Sequence, residues 1–293
     1  MSRWLSASAT YASMIKLSHS VFALPFALAA AVIASRQVSV TAAQIGLILG
    51  CMVLARSSAM GFNRLVDRHI DAKNPRTAGR EIPAGKISVG AAWAFTIGSA
   101  LAFVGCAALL GPATLALSPV AIAVVWGYSL TKRFTALCHV VLGVGLGLAP
   151  TGVWIALTGG YAPAPLVLSL AVLCWVAGFD IIYSCQDAAF DREEGLRSVP
   201  AALGIRGALA VSAALHVVTV CLLAALPWLA PLGWPYAVGL AIIAGVLIYE
   251  HAIVTPTDLS RVDAAFFNLN GWVSILFLGF VVLASWTGHA AGA

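Results

Sequence analysis

The sequence predicts an all-α membrane protein: about nine transmembrane helices in one bundle, built as a pseudo-repeat of two halves under a polar cytoplasmic cap. Three observations lead there. Of the 293 residues, 61% are hydrophobic and 9% charged, where a soluble domain carries about 25% charged residues. Apolar runs of the ~20 residues needed to cross a bilayer recur along the whole chain. The charges that remain are gathered toward one side. The chain therefore reads as a single domain over residues 1–293.

The runs fall near 18–35, 43–63, 89–110, 113–130, 136–158, 163–186, 207–229, 234–252 and 266–286. Gly111-Pro112 divides the third from the fourth least sharply, and the connections Gly159–Pro163 and Pro231–Pro235 punctuate later ones. Arg3 and Lys16 flank a mildly polar stretch, and no cleavage site follows the first apolar run, so that run is expected to remain as the first span.

Nine spans with a cytoplasmic N-terminus put the N-terminal tail and loops 2–3, 4–5, 6–7 and 8–9 on one side. Those segments carry 14 of the 16 basic residues; Arg36 lies outside and Arg56 within the second span. The positive-inside rule therefore supports this orientation, in the cell inner (plasma) membrane. Acids contribute little to topology, yet all 11 of them fall at the same cytoplasmic ends. A catalytic cap over an apolar bundle accounts for both. The six cysteines are scattered through apolar segments without a CxxC pair and read as small packing residues. The nine tryptophans read as interface anchors. The expected surroundings are the lipid bilayer, with no nucleic-acid partner.

The second span runs without an obvious breaker into Asn63-xxx-Asp67-xxx-Asp71, a spacing that puts the three side chains on one helical face. The sixth ends in Asp180, Tyr183, Asp187 and Asp191, again on one stripe. Asn63/Asp67/Asp71 and Tyr183/Asp187/Asp191 are offset by 120 residues, and each frame is followed by a related phrase, Arg80-Glu81-Ile82-Pro83-Ala84 and Arg197-Ser198-Val199-Pro200-Ala201. The pattern reads as an internal duplication that sets two carboxylate clusters face to face. Like charges at i, i+4 destabilise a helix unless a cation compensates. Mg²⁺ is commonly shared between one or two carboxylates and substrate phosphates. Two such clusters suit Mg²⁺ ions clamped on a diphosphate, with Arg68, Lys73, Arg76, Arg80, Lys132, Arg133, Arg192 and Arg197 available to the remaining phosphate oxygens.

These residues resemble the UbiA superfamily of membrane prenyltransferases over essentially the whole chain. The phrases Lys16-Leu17-Ser18-His19-Ser20-Val21-Phe22-Ala23-Leu24-Pro25-Phe26 and Asn74-Pro75-Arg76-Thr77-Ala78-Gly79-Arg80-Glu81-Ile82-Pro83 look like the 4-hydroxybenzoate polyprenyltransferase branch. The resemblance implies a Mg²⁺-dependent joining of a polyprenyl diphosphate to an aromatic acid in quinone synthesis. By analogy Asp67, Asp71, Asp187 and Asp191 are the Mg²⁺ ligands, while Asn63 and Asp180 support the diphosphate site. The first-span phrase departs from the best-known ubiquinone enzymes and looks more like UbiA-like members of menaquinone (futalosine-route) organisms, which keeps a naphthoate acceptor open.

Around the cap, Arg56 lies two turns deeper than Asn63 on roughly the same face; a charge inside a span is a functional candidate by default, here for the acceptor's carboxylate or a phosphate oxygen. Tyr128 and Lys132, at i, i+4, match phenolic and basic positions near the family's diphosphate site. Tyr183 is placed to stabilise an allylic cation through its ring or to pack at the interface. Lys16 and His19 enter the first span from the cytoplasmic side, with His19 read as a buried hydrogen bonder. Among other classes, a secondary transporter would show duplicated halves, but with its polar site near the bilayer midplane. A CDP-alcohol phosphotransferase would need a DGxxAR core, which the chain lacks.

Overall fold

The computed structural model describes residues 10–15 and 22–288, and its regular structure there is helical apart from one isolated bridge between Thr255 and Asp258. The elements are α1 (Leu24–Ala34), α2 (Ala42–Val66), α3 (Arg68–Lys73), α4 (Val89–Leu110), α5 (Pro112–Thr131), α6 (Cys138–Thr158), α7 (Pro163–Ser184), α8 (Ala188–Glu193), α9 (Val199–Ala225), α10 (Pro235–Ile253) and α11 (Asn270–Thr287). Among the described residues, eight helices are long and apolar enough to cross a membrane. The first expected span corresponds to α1, which is apolar but 11 residues long; residues 18–21 of that span lie outside the described segment.

Punctuation acts where the sequence puts it. Gly111, at φ 145°, ends α4, and Pro112 opens α5, where a missing N–H costs nothing. Gly204, at φ 71°, interrupts α9 near its start, a left-handed residue that glycine adopts without a Cβ clash. The apolar helix begins at Val199, ahead of the expected residue 207, with its kink at Gly204 between the two. Ser88 and Ser198 cap α4 and α9, accepting from the amides of Ala91 (3.2 Å) and Ala201 (3.3 Å).

The chain divides into two compact units, residues 1–20 with 45–130 and residues 21–44 with 131–293. In the first, Trp126 of α5 donates to Ser58 of α2 (2.9 Å), and Ser58 in turn donates to the carbonyl of Thr96 in α4 (3.0 Å). Phe62 stacks on Trp126 with centroids 4.8 Å apart.

In the second unit, α6 and α7 pack along a seam of small residues. His139, Gly143, Gly147 and Thr151 are spaced by four and share one face. A Cβ on Gly143 would collide with the Leu173 carbonyl, and one on Gly147 would lie 2.8 Å from that of Ser169. Thr151 Oγ1 meets Ser169 Oγ at 2.7 Å at the far end of the seam. Close approach through glycine is how helices associate in lipid, where burial alone gives no driving force. Gly143→Val is expected to force the helices apart, at a cost of about 1–3 kcal/mol, read as a lower melting temperature in detergent.

Trp175, Phe22, Phe26, Phe179, Phe266 and Phe277 form the aromatic core of this unit. That corrects the reading of every tryptophan as an interface anchor: Trp175 and Trp154 are buried. Trp228, Trp234 and Trp286, exposed at helix ends, do fit the anchoring role.

Candidate active site

The first aspartate motif occupies the junction of α2 and α3. Contrary to the expectation of one unbroken helix, α2 stops at Val66 and Asp67 adopts φ −92°, ψ 2°, before α3 resumes. The break is shallow, because the amides of Asp67 and Asp71 still bond to the carbonyls four residues back, at 3.0 and 2.7 Å. The shared face survives. Asn63 Nδ2 donates to Asp67 Oδ2 (2.9 Å), and Arg64 Nη1 donates to Asn63 Oδ1 (3.3 Å), so Arg64 orients the amide that orients the carboxylate.

Asp71 is buried, and its Oδ1 accepts from Arg80 Nη1 at 2.6 Å. The cation demanded by the i, i+4 acid pair therefore comes from the loop nine residues on. Asp71 Oδ2 is buried with no hydrogen-bond partner among the described residues. Deeper in α2, Arg56 lies within electrostatic range of Tyr128, which also senses Arg64 and Asp67. Of the other basic residues expected here, Arg68 turns back to the Leu65 carbonyl (2.7 Å). Arg76 is exposed on the loop that Asn74 Oδ1 and Thr77 Oγ1 pin down. Lys16 and His19 lie outside the described residues.

The second motif repeats the first in backbone form. A 3₁₀ turn, Cys185–Asp187, follows α7, and Asp187 adopts φ −99°, ψ 2° before α8. The middle aspartates of both motifs thus share one sparsely allowed conformation, a region where many active-site residues sit. The duplication read from spacing extends to backbone angles.

Charge compensation differs between the halves. Buried Asp191 pairs through Oδ1 with Lys132 Nζ at 2.9 Å. Arg197, which stands where Arg80 stands in the first phrase, instead donates to the Phe134 carbonyl (2.9 Å), and its own amide bonds to the Lys132 carbonyl (2.7 Å). Arg197 thereby braces the turn that carries Lys132. Tyr183 faces Phe266 with centroids 4.2 Å apart, beside the π-helical turn Ala265–Leu269; such turns are frequent at functional sites. Asp180, one turn deeper, is held by His139, with Oδ2 2.7 Å from Nδ1.

Among the described residues, no three His, Cys, Asp or Glu side chains gather closely enough to enclose a metal by themselves. The donor set nonetheless suits a hard cation that shares its shell with waters and phosphates, which needs only one or two carboxylates. The partnerless Oδ2 of Asp71 is an oxygen ligand of that kind.

The UbiA prenyltransferase family model matches residues 23–272. The chain belongs to this family. It is similar to the 4-hydroxybenzoate octaprenyltransferases of Methylobacillus flagellatus (30% identical; 80% of this chain, 78% of the relative) and Nitrosomonas europaea (29%; 78% of each). Its fold matches the apo structure of a UbiA homolog from Aeropyrum pernix K1, with TM-score 0.81 and 36% identity over 90% of this chain and 97% of that one. A UbiA homolog from Archaeoglobus fulgidus bound to GPP and Mg²⁺ shares the fold at TM-score 0.75 and 18% identity, over 94% and 99% of the two chains.

Within this UbiA prenyltransferase, sequence reasoning passed over two features. His139 and Arg64 carried no motif, and only their contacts reveal them. The second is a buried polar network: Trp175 donates to Asn270 (2.7 Å), Asn270 to Glu250 (2.7 Å), and Glu250 lies 3.7 Å from His216. Glu250 inside the end of a span was the signal for it.

Proposed function

We propose that this prenyltransferase moves a polyprenyl group from its diphosphate to the ring of 4-hydroxybenzoate, in the cell inner membrane, with its polar cap in the cytoplasm. The observation that carries the reading is the pair of aspartate motifs repeated in backbone angle, each with its outer carboxylate buried against a cation. The octaprenyltransferase names of relatives that match about four-fifths of the chain support the acceptor. The Archaeoglobus homologs bound to DMAPP or GPP with Mg²⁺ support the donor and the metal.

In this reading Asp67, Asp71, Asp187 and Asp191 hold Mg²⁺. The ion supplies positive charge to the diphosphate as the allylic C–O bond ionises. Asn63 fixes Asp67, and Arg80 and Lys132 hold the outer carboxylates and bind phosphate oxygens, with Lys16 and Arg76 as further candidates for them. Arg68 and Arg197, expected in the same role, are turned instead to the carbonyls of Leu65 and Phe134. Arg56 and Tyr128 bind the acceptor's carboxylate or a phosphate oxygen. Tyr183 lays its ring against the allylic cation, and Asp180 works at the reacting ring. The apolar helices around the site exclude water that would capture the cation, and the lipid-facing surface accommodates the prenyl tail.

The test is incubation of membranes carrying the protein with Mg²⁺, geranyl diphosphate and 4-hydroxybenzoate, with product read by mass spectrometry. Prenylated 4-hydroxybenzoate that disappears with chelator and in Asp67→Ala supports the reading. Product only from a dihydroxynaphthoate moves the acceptor to the menaquinone type, the alternative favoured by the first-span phrase. No product from any aromatic acid overturns the acceptor class.

A further inference from the structure

The α6–α7 seam opens at its cytoplasmic end on His139 and Asp180, and both ring nitrogens of His139 are engaged. Nε2 accepts the backbone N–H of Val199, the first residue of α9, at 3.3 Å. A nitrogen that accepts carries no proton, so the neutral ring bears its proton on Nδ1. That proton is donated to Asp180 Oδ2 over 2.7 Å. His139 is 3% exposed, whereas the Asp180 side chain keeps 23% exposure. Asp180 Oδ1 makes no hydrogen bond among the described residues. The result is a carboxylate with one oxygen tied inward and the other open.

The arrangement is built from three elements. The glycine seam brings the helices close enough for an imidazole to reach Asp180 directly. The segment Arg197–Val199, which follows the second motif, supplies the amide that fixes the tautomer, and the Arg197 carbonyl also receives the Cys138 thiol (3.6 Å). α1, packed against α6 and α7, brings no ionisable side chain to the pair.

We propose that His139 is a positioning residue, holding Asp180 so that Oδ1 takes the ring proton released on prenylation. This rests on the function proposed above. The allylic C–O electron pair leaves with the diphosphate, and a ring carbon bonds to the allylic carbon. The C–H pair at that ring carbon then returns to the ring while its proton passes to Oδ1, leaving Asp180 neutral until it releases the proton to water. His139 keeps its own proton throughout. Its part is orientation, as a hydrogen bond to one lobe of a carboxylate aims the other.

Four measurements test this. In metal-free protein with ¹⁵N-labelled histidine, His139 should show a protonated Nδ1 and a bare Nε2; a protonated Nε2 overturns the proposal without any turnover. His139→Phe should lower kcat about 30-fold with KM for the prenyl diphosphate within about twofold, an orientation loss. His139→Asn, which keeps a donor near the Nδ1 position, should recover to within about threefold of wild type. In an Asp180→Asn background His139→Phe should add less than about twofold, because the two act as a unit. A His139→Asn variant as impaired as His139→Phe, or full additivity with Asp180→Asn, reduces His139 to an anchor for Val199 and overturns the proposal. Wild-type protein that prenylates no aromatic acid sinks the proposed function instead, and the tautomer spectrum still decides the pair.

Discussion

Asp71→Asn is expected to lower prenyl transfer by about 10³-fold or more while leaving the protein folded. Asparagine matches aspartate in volume and can still accept from Arg80, so the buried site keeps its packing. It loses the charge that Oδ2 offers to a cation from a position where no other hydrogen bond competes. A thousandfold loss is about 4 kcal/mol at 1.36 kcal/mol per tenfold, a magnitude suited to one carboxylate ligand in a site shielded from water. The loss should persist at saturating prenyl diphosphate, as a fall in kcat. Arg80→Gln, which removes the partner and keeps the carboxylate, should cost less, about 10- to 30-fold and mostly in KM. Initial rates for both variants check this, and an Asp71→Asn enzyme retaining a tenth of wild-type activity would refute it.

Trp175→Ala is expected to produce the largest loss of stability, about 4 kcal/mol. The indole is fully buried among Phe22, Phe26 and Phe179, and its Nε1–H satisfies Asn270. Two effects compete for the credit. A hydrogen bond between helices in lipid contributes about 0.6 kcal/mol on average. Truncating a buried aromatic ring costs about 3–5 kcal/mol through the cavity it leaves. Packing wins, so Trp175→Phe should cost only about 1–2 kcal/mol. Thermal unfolding in detergent separates the two, and equal losses for Ala and Phe would mean that the polar network dominates.

What was legible in the sequence followed from periodicity and charge. The spans, the punctuation at Gly111-Pro112 and the 120-residue repeat are all one-dimensional patterns, whereas the break at Gly204 shows only in the structure. The pairing of Asp71 was half legible, since a like-charged pair demands a cation and Arg80 lies close in sequence. Its counterpart was not: Arg197 occupies the equivalent place in the repeated phrase, yet Lys132, 59 residues before Asp191, is the cation that arrives. The break at Asp67 was invisible because no glycine or proline marks it. His139 was hidden for another reason. A histidine at the start of an apolar run looks like a topological end, and its meaning lies in what α7 and Val199 place against it.

The unequal origin of the two compensating cations has a consequence for assembly. Arg80 meets Asp71 across nine residues of chain, so that pair can close as soon as the segment emerges. Lys132 and Asp191 are separated by two complete membrane crossings, α6 and α7, and their meeting waits on both. By chain-closure entropy alone the longer loop is about 1.7 kcal/mol harder to close. During synthesis the N-terminal charge pair is therefore complete while its C-terminal counterpart is still an exposed lysine and an unmade aspartate, and the enzyme acquires its two halves in sequence.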